Sequence, residues 1–259
     1  MKVIKYLLFL FALLLAIYAL STKIQEYPMK TTSEKSLKLG IILFEGFDQL
    51  DVTAPLEIFK NFPNTQIYFI ANTKKPIGSH IKAIKIKPNT TFDTAPQMDI
   101  LFVPGGGGVV KTLKNDKALV HFIQEQTPQL KYLSSVCTGA LILGYAGELK
   151  GYRATTHWTA KKYLASLGAI PVDQRVVVDR NRVTGAGVSS GLDLALQLGD
   201  LLFGKSFVEK EELMLEYFNH PVLYNTSVET VNLEAKEALQ KEMGNIAKER
   251  DGFFSAMNK

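Results

Sequence analysis

Three runs of consecutive apolar residues, each ending in small or turn-forming residues, constrain this chain most. They are LKLGIILF at 37–44, MDILFVPGGGG at 98–108 and KYLSSVC at 131–137. None alternates polar with apolar, so each reads as a strand buried on both faces. Such strands need a helix layer on either side. The helical spacing of Leu50, Ala54, Ile58 and Phe62, and the apolar TGALILGYAGEL after the last run, supply helices between them. The pattern predicts an α/β fold with a doubly wound, mostly parallel sheet and helices on both faces. In sheets of this kind ligands bind outside the carboxyl ends of the strands. FEGFDQLD, PGGGG and SVCTG all fall at such ends.

The remaining elements fit the same alternation. A strand is expected at 66–72, and a half-exposed strand near a hairpin at 82–92, where Lys alternates with Ile and Ala. Helical turns follow over 109–129, a strand and a helix over 152–158 and 159–168, and a hairpin over 175–187 turning at Asp179–Asn181. Helices are expected at 189–204, with Ser189 at the cap, and at 206–218. Pro55 falls in the first turn of the helix after the first strand. Residues 228–250 read as a polar amphipathic helix appended to the core.

The N-terminus differs in kind. Lys2 and Lys5 precede an unbroken apolar stretch of 15 residues, Tyr6–Leu20. That length lies between a secretory apolar region of about 7–15 residues and a spanning helix of about 17–25. Small residues at 19–21 offer a cleavage site after Ser21. The domain reading is therefore 1–21 as a signal peptide or signal anchor, 22–36 as a polar linker, 37–218 as the α/β domain and 219–259 as a helical tail. It implies an exported or membrane-anchored chain, with the N-terminal segment as membrane partner if uncleaved. The net charge is +5, of which residues 1–36 hold +3. No basic, aromatic-interleaved patch stands out, and nucleic-acid binding gains no support.

Cys137 is the only cysteine of 259 residues, so no intrachain disulfide forms. At a strand-to-helix turn it sits where unpaired amides and a helix dipole favour a thiolate and lower its pKa. Gly139 and Ala140 let the helix approach closely, which is the layout of a nucleophile elbow. The Thr138 amide would face an anion there, and Gly106 in PGGGG would supply a second donor, with Gly107 beside it. Asp51 read alone is a helix cap; it becomes an acid/base candidate if the strands before it and before Cys137 lie close together. His157 in ATTHW is either structural or site-lining, and the other three histidines have no neighbours that suggest chemistry. No spaced His/Cys/carboxylate cluster suggests a metal.

GIILFEGFDQLDVTAPLEIF, LFVPGGGG, SSVCTGALILGYAGELKGYRATTHW and VTGAGVSSGLDLALQL, in that order, resemble the ThiJ/PfpI superfamily of class I glutamine amidotransferase-like proteins, and within it the isonitrile hydratases. The resemblance spans roughly 38–218. It implies a flavodoxin-like sandwich, an elbow cysteine matched by Cys137, and a homodimer. In the hydratases an aspartate after the first strand faces the cysteine, matched by Asp51, and a threonine follows the cysteine, matched by Thr138. The Cys-Thr-Gly order argues against the Cys-His dyad of protease-like relatives. The implied activity is hydration of a small-molecule isonitrile to an N-substituted formamide, without metal or organic cofactor. An exported redox-sensing cysteine, a ligand-binding protein, and glyoxalase- or deglycase-like chemistry are the alternatives. The N-terminal apolar segment and the 219–259 tail depart from the hydratase pattern.

Overall fold

The computed structural model describes residues 36–217 and 233–257. In chain order the described elements begin with β1 (Leu37–Ile42), α1 (Gln49–Phe59), β2 (Thr65–Ala71), and the short β3 (Ile77–Gly78), β4 (Lys85–Ile86) and β5 (Thr90–Thr91). Next come β6 (Ile100–Val103), α2 (Val109–Asn115), α3 (Lys117–Gln126), β7 (Tyr132–Val136), α4 (Gly139–Tyr145), β8 (Arg153–Ala154), α5 (Lys162–Ser166) and β9 (Ile170–Pro171). The chain closes with β10 (Val176–Asp179), β11 (Arg182–Gly185), α6 (Ser190–Phe203), α7 (Lys205–Leu215), α8 (Leu233–Glu242) and α9 (Gly244–Ala256).

Seven strands form one sheet in the order β10-β11-β7-β6-β1-β2-β5. Only the β10–β11 pair is antiparallel. The three apolar runs are the adjacent central strands β1, β6 and β7, and β6 is buried along its whole length. Helices cover both faces, as continuous burial of these strands requires. α1 packs on α6, and α6 on α7; α2, α3 and α4 pack together, with α9 against α2. The chain order reverses between β1, which leads back to β2, and β6, which leads on to β7. The crevice outside that switch point is where a doubly wound sheet offers a ligand site.

Several local expectations change. The 82–92 segment is not one strand: only Lys85–Ile86 and Thr90–Thr91 pair, with a turn before them. Within 152–158 only Arg153–Ala154 is a strand. α1 starts at Gln49 because the Asp48 side chain accepts from the Leu50 amide, so Asp48 is the cap and Pro55 lies in the second turn. Ser189 occupies the cap position of α6 but makes no side-chain capping bond. The tail is two helices, α8 and α9, and the second is no loose appendage: Phe254 is buried and stacks on Tyr163 at 4.9 Å.

The membrane and export reading is corrected. Among the described residues no helix is long and apolar enough to cross a membrane. The longest, α6, has 14 residues, against the roughly 20 that a span needs. The 1–21 segment, on which the signal or anchor reading rested, lies outside the described residues. The chain is therefore not assigned as a membrane-anchored or exported protein.

The start of α4 is jammed against the end of β6. A Cβ on Gly139 would lie 2.3 Å from the Val103 carbonyl oxygen and 2.7 Å from that of Pro104, both backbone atoms that cannot swing aside. Gly139→Ala is expected to lower stability by about 2–3 kcal/mol in urea denaturation. Gly252→Ala, on the exposed side of α9 with nothing within 4 Å of the new Cβ, is expected to raise it by about 0.5–1 kcal/mol.

Candidate active site

Three loops at the carboxyl ends of β1, β6 and β7 interlock through their backbones. The Asp48 amide donates to the Gly105 carbonyl at 2.8 Å, and the Gly108 amide to the Gly46 carbonyl at 3.0 Å. Gly106 has φ +142, and a Cβ there would lie 2.4 Å from the Gly46 oxygen and 2.5 Å from the Asp48 nitrogen. Only glycine permits both that backbone conformation and that approach. This packing accounts for Gly106 and Gly108 in the glycine run.

Asp51 lies in the first turn of α1 with its side chain turned inward and no exposed surface. The Gly105 amide donates to its Oδ2 at 2.8 Å. Its Oδ1 is buried without an aligned donor. Burial pushes its pKa up to about 7, helped by the nearby Asp48 charge; the Gly105 amide and the neighbouring Cys137 thiol pull the other way. The thiol thus stands beside the carboxyl and interacts with it, though not along a well-directed hydrogen bond to Oδ1. Strands β1 and β7 are not neighbours, since β6 runs between them. The β6 loop closes the gap, because Gly105 reaches both sides: a Cβ on it would lie 2.5 Å from the Thr138 nitrogen and 3.0 Å from Asp51 Oδ2.

Cys137 has φ +56, a conformation that a non-glycine residue adopts under strain. The strand-end geometry imposes it. The Cys137 amide donates to the Gly185 carbonyl at 3.1 Å, and the Thr156 hydroxyl donates to the Cys137 carbonyl at 2.6 Å. The thiol is buried, with 7% of the residue exposed. The expected depression of its pKa does not occur. Burial, and then the Asp51 charge, push it well above the ordinary thiol value, outweighing the Thr138 amide that favours the thiolate. α4 has only two turns, and its end effect loses to desolvation.

Thr138 and Gly106 face each other. The Gly106 amide donates to Thr138 Oγ1 at 2.9 Å, so it is engaged by the hydroxyl rather than open toward the thiol. Gly107 lies one residue on, with the His80 ring over it: Nδ1 would be 2.6 Å from a Cβ there. His157 flanks the site. Its amide donates to the Cys137 carbonyl at 3.4 Å and its Nδ1 bonds Thr159 Oγ1 at 2.8 Å. Burial, and then the Arg250 charge, hold its pKa down at about 4, so it is neutral near pH 7.

Asp51, Cys137, Thr138 and Gly106 are thus brought together, while His157 and Gly107 stand at the rim. Three contributors escaped the reading of the sequence: Thr156, His80 and Arg250. Gly105 was legible only as part of a glycine run, and Thr156 only as a neighbour of His157. His80 and Arg250 carry no local signal. Among the described residues no three His, Cys, Asp or Glu side chains are grouped as a metal site.

Residues 38–200 match the DJ-1/PfpI family. The chain is 40% identical to an isonitrile hydratase of Pseudomonas putida over 195 residues, which cover 75% of this chain and 85% of that one. It is 26% identical over 173 residues to a glutathione-independent glyoxalase DJ-1 of Schizosaccharomyces pombe, covering 62% of this chain and 89% of that protein. The crystal structure of a ThiJ/PfpI family protein from Pseudomonas syringae superposes with a TM-score of 0.82 at 33% identity, covering 90% of this chain and 96% of that chain. The order of the motifs, the elbow cysteine and these likenesses agree: the chain belongs to the DJ-1/PfpI family.

Proposed function

We propose that this chain is an isonitrile hydratase-like enzyme, adding water to R–N≡C to give the formamide R–NH–CHO, with Cys137 as nucleophile and Asp51 as acid and base. The observation that carries the reading is the fully buried Asp51 carboxyl beside the only thiol, with a pKa near neutrality and with Oδ1 lacking a well-aligned donor among the described residues. An ordinary aspartate, with a pKa of about 3.9, would hold no proton to give at pH 7. The likeness to the Pseudomonas putida hydratase supports the same assignment.

The chemistry follows from the pair sharing protons. In the productive state the sulfur is a thiolate and Asp51 carries a proton. The sulfur attacks the terminal isonitrile carbon, and the Asp51 proton passes to that carbon. One S–C and one C–H bond form, giving the thioimidate R–N=CH–S-Cys137. The Asp51 carboxylate then takes a proton from water as its oxygen adds to the same carbon. Asp51 returns that proton to the nitrogen, then takes the proton of the new hydroxyl as the C–S bond breaks; R–NH–CHO leaves, and the thiolate and protonated carboxyl are restored. The Thr138 amide and hydroxyl, joined to the Gly106 backbone, hold the charge that develops on sulfur and orient the water. The buried thiol disfavours the redox-sensor alternative, since oxidation proceeds through an exposed thiolate. The Schizosaccharomyces pombe likeness makes a glyoxalase the second reading, tested beside the first.

The full chain is to be assayed with a small isonitrile and with methylglyoxal. Formamide production by the wild type, reduced at least about a thousandfold by Cys137→Ala and about a hundredfold or more by Asp51→Asn, is the expected result. Turnover of methylglyoxal alone transfers the assignment to the second reading. The pH profile of kcat/KM is expected to rise through about 7, as the pair loses its first proton.

Stability should show the same carboxyl. Its folded pKa is raised, so from about 4 to about 7 the folded chain holds a proton that the unfolded chain has lost. Wild-type stability therefore falls through that window as pH rises. Asp51→Asn removes the titration and is expected to gain roughly 2–4 kcal/mol relative to wild type between pH 4 and pH 8 in urea denaturation, at about 1.4 kcal/mol per pKa unit. An unchanging difference would place the Asp51 pKa in the ordinary range.

A further inference from the structure

Arg250, on α9, is 4% exposed. Its guanidinium cannot shed its charge, and burial makes that charge unfavourable unless an anion meets it. Its one hydrogen bond among the described residues runs from Nη1 to Thr159 Oγ1 at 3.1 Å, and it makes no ion pair there. The charge of Asp251 is felt at Arg250, but both acids of its own helix make their direct contacts elsewhere. Glu249 pairs with Lys114 at 3.4 Å, and Asp251 with Lys162 at 2.6 Å and with the Tyr163 hydroxyl.

The placement of Arg250 is specific. One turn earlier on the same helix face, Ile246 Cδ1 lies 3.5 Å from where a Gly107 Cβ would be. Arg250 itself holds Thr159, which holds His157, whose amide reaches the Cys137 carbonyl. α9 therefore bridges the two walls of the site, the glycine loop and the segment after β8. Phe254 on Tyr163 and Phe253 against Tyr145 anchor its far end. The charge of Arg250 is felt at His157, and that of a Cys137 thiolate at Arg250.

Among the described residues no carboxylate forms an ion pair or hydrogen bond with it. Asp51 is bonded to the Gly105 amide, and Cys137 takes its stabilising contacts from Thr138. With His157 neutral, one positive charge waits at the rim, matched to a monoanion, and the guanidinium fork suits a carboxylate. We propose that Arg250 is the anion-recognising residue of the Cys137 site, and that the isonitrile hydrated there carries a carboxylate on its R group. The substrate class rests on the hydratase reading; the anion site does not.

The test uses the full chain and its only cysteine. Iodoacetate and iodoacetamide share a leaving group and differ by a carboxylate; in each, sulfur displaces iodide and forms one S–C bond, read by intact mass. The ratio of the two rates is expected to be about tenfold higher in the folded wild type than in the urea-unfolded chain. Arg250→Met is expected to abolish that gain while leaving the iodoacetamide rate within about twofold, and Arg250→Lys, keeping the charge without the fork, to give an intermediate ratio. A wild-type ratio equal to that of the unfolded chain overturns the proposal without any variant. So does a parallel fall of both rates in Arg250→Met, which would make Arg250 a support of the thiolate or of the fold.

A second readout separates the two readings. Isocyanoacetate and its methyl ester are offered as substrates, and Arg250→Met is expected to raise KM about tenfold or more for the acid alone. If neither isonitrile turns over while the alkylation ratio behaves as expected, the hydratase reading falls and the anion site stands. If both turn over and Arg250→Met changes neither their KM values nor the alkylation ratio, the anion site falls and the hydratase reading stands.

Discussion

The hydrogen bond from the Gly105 amide to Asp51 Oδ2 joins three parts of the chain that are far apart in sequence. Asp51 belongs to the helix after β1, Gly105 to the loop after β6, and the Thr138 atoms packed against Gly105 to the turn after β7. Because β6 runs between β1 and β7, aspartate and thiol meet only where the β6 loop folds over both strand ends. Absence of side chains at 105–108 makes that possible, since a Cβ would meet Thr138 and Asp51 at 105, the Gly46–Asp48 backbone at 106, the His80 ring at 107 and the Glu45 carbonyl at 108.

Closeness of packing sets the electrostatics. A site this dry penalises charge on either partner, so burial raises the pKa of the carboxyl and of the thiol together. A two-turn helix cannot reverse that at Cys137. The result is a pair that retains protons near neutrality, in contrast to an elbow thiol exposed at the end of a long helix. In the proposed mechanism proton transfer within the pair substitutes for a free thiolate, and the Thr138–Gly106 bond holds the neighbouring dipoles in place.

The C-terminal helix adds a layer that the core does not need for its sheet. α9 lays Ile246 toward the glycine loop and Arg250 toward Thr159, while Phe253 and Phe254 fix it to Tyr145 and Tyr163. It places an apolar side chain beside Gly107 and a buried cation two hydrogen bonds from His157. Family membership rests on residues 38–200, and α9 lies beyond that match.

The burial of the central strands and the elbow at Cys137 were legible in the residues themselves, whereas Asp51 opposite the cysteine was implied by the family resemblance, since read alone it was only a helix cap. Continuous apolar runs can be satisfied only by a sheet covered on both faces, and Cys-Thr-Gly at a strand end leaves few turns open to it. Weak or short elements were not legible: the Lys–Ile alternation at 82–92 does not survive the turn before Lys85, and Asp48 rather than Asp51 caps α1. The pKa directions, the engagement of the Gly106 amide and the parts taken by Thr156, His80 and Arg250 were decided by tertiary structure alone. Their physical cause is shared. Periodicity reports which face of an element is buried, whereas charge, desolvation and hydrogen-bond partners depend on what arrives from elsewhere in the chain, and for Arg250 that partner lies 91 residues away at Thr159.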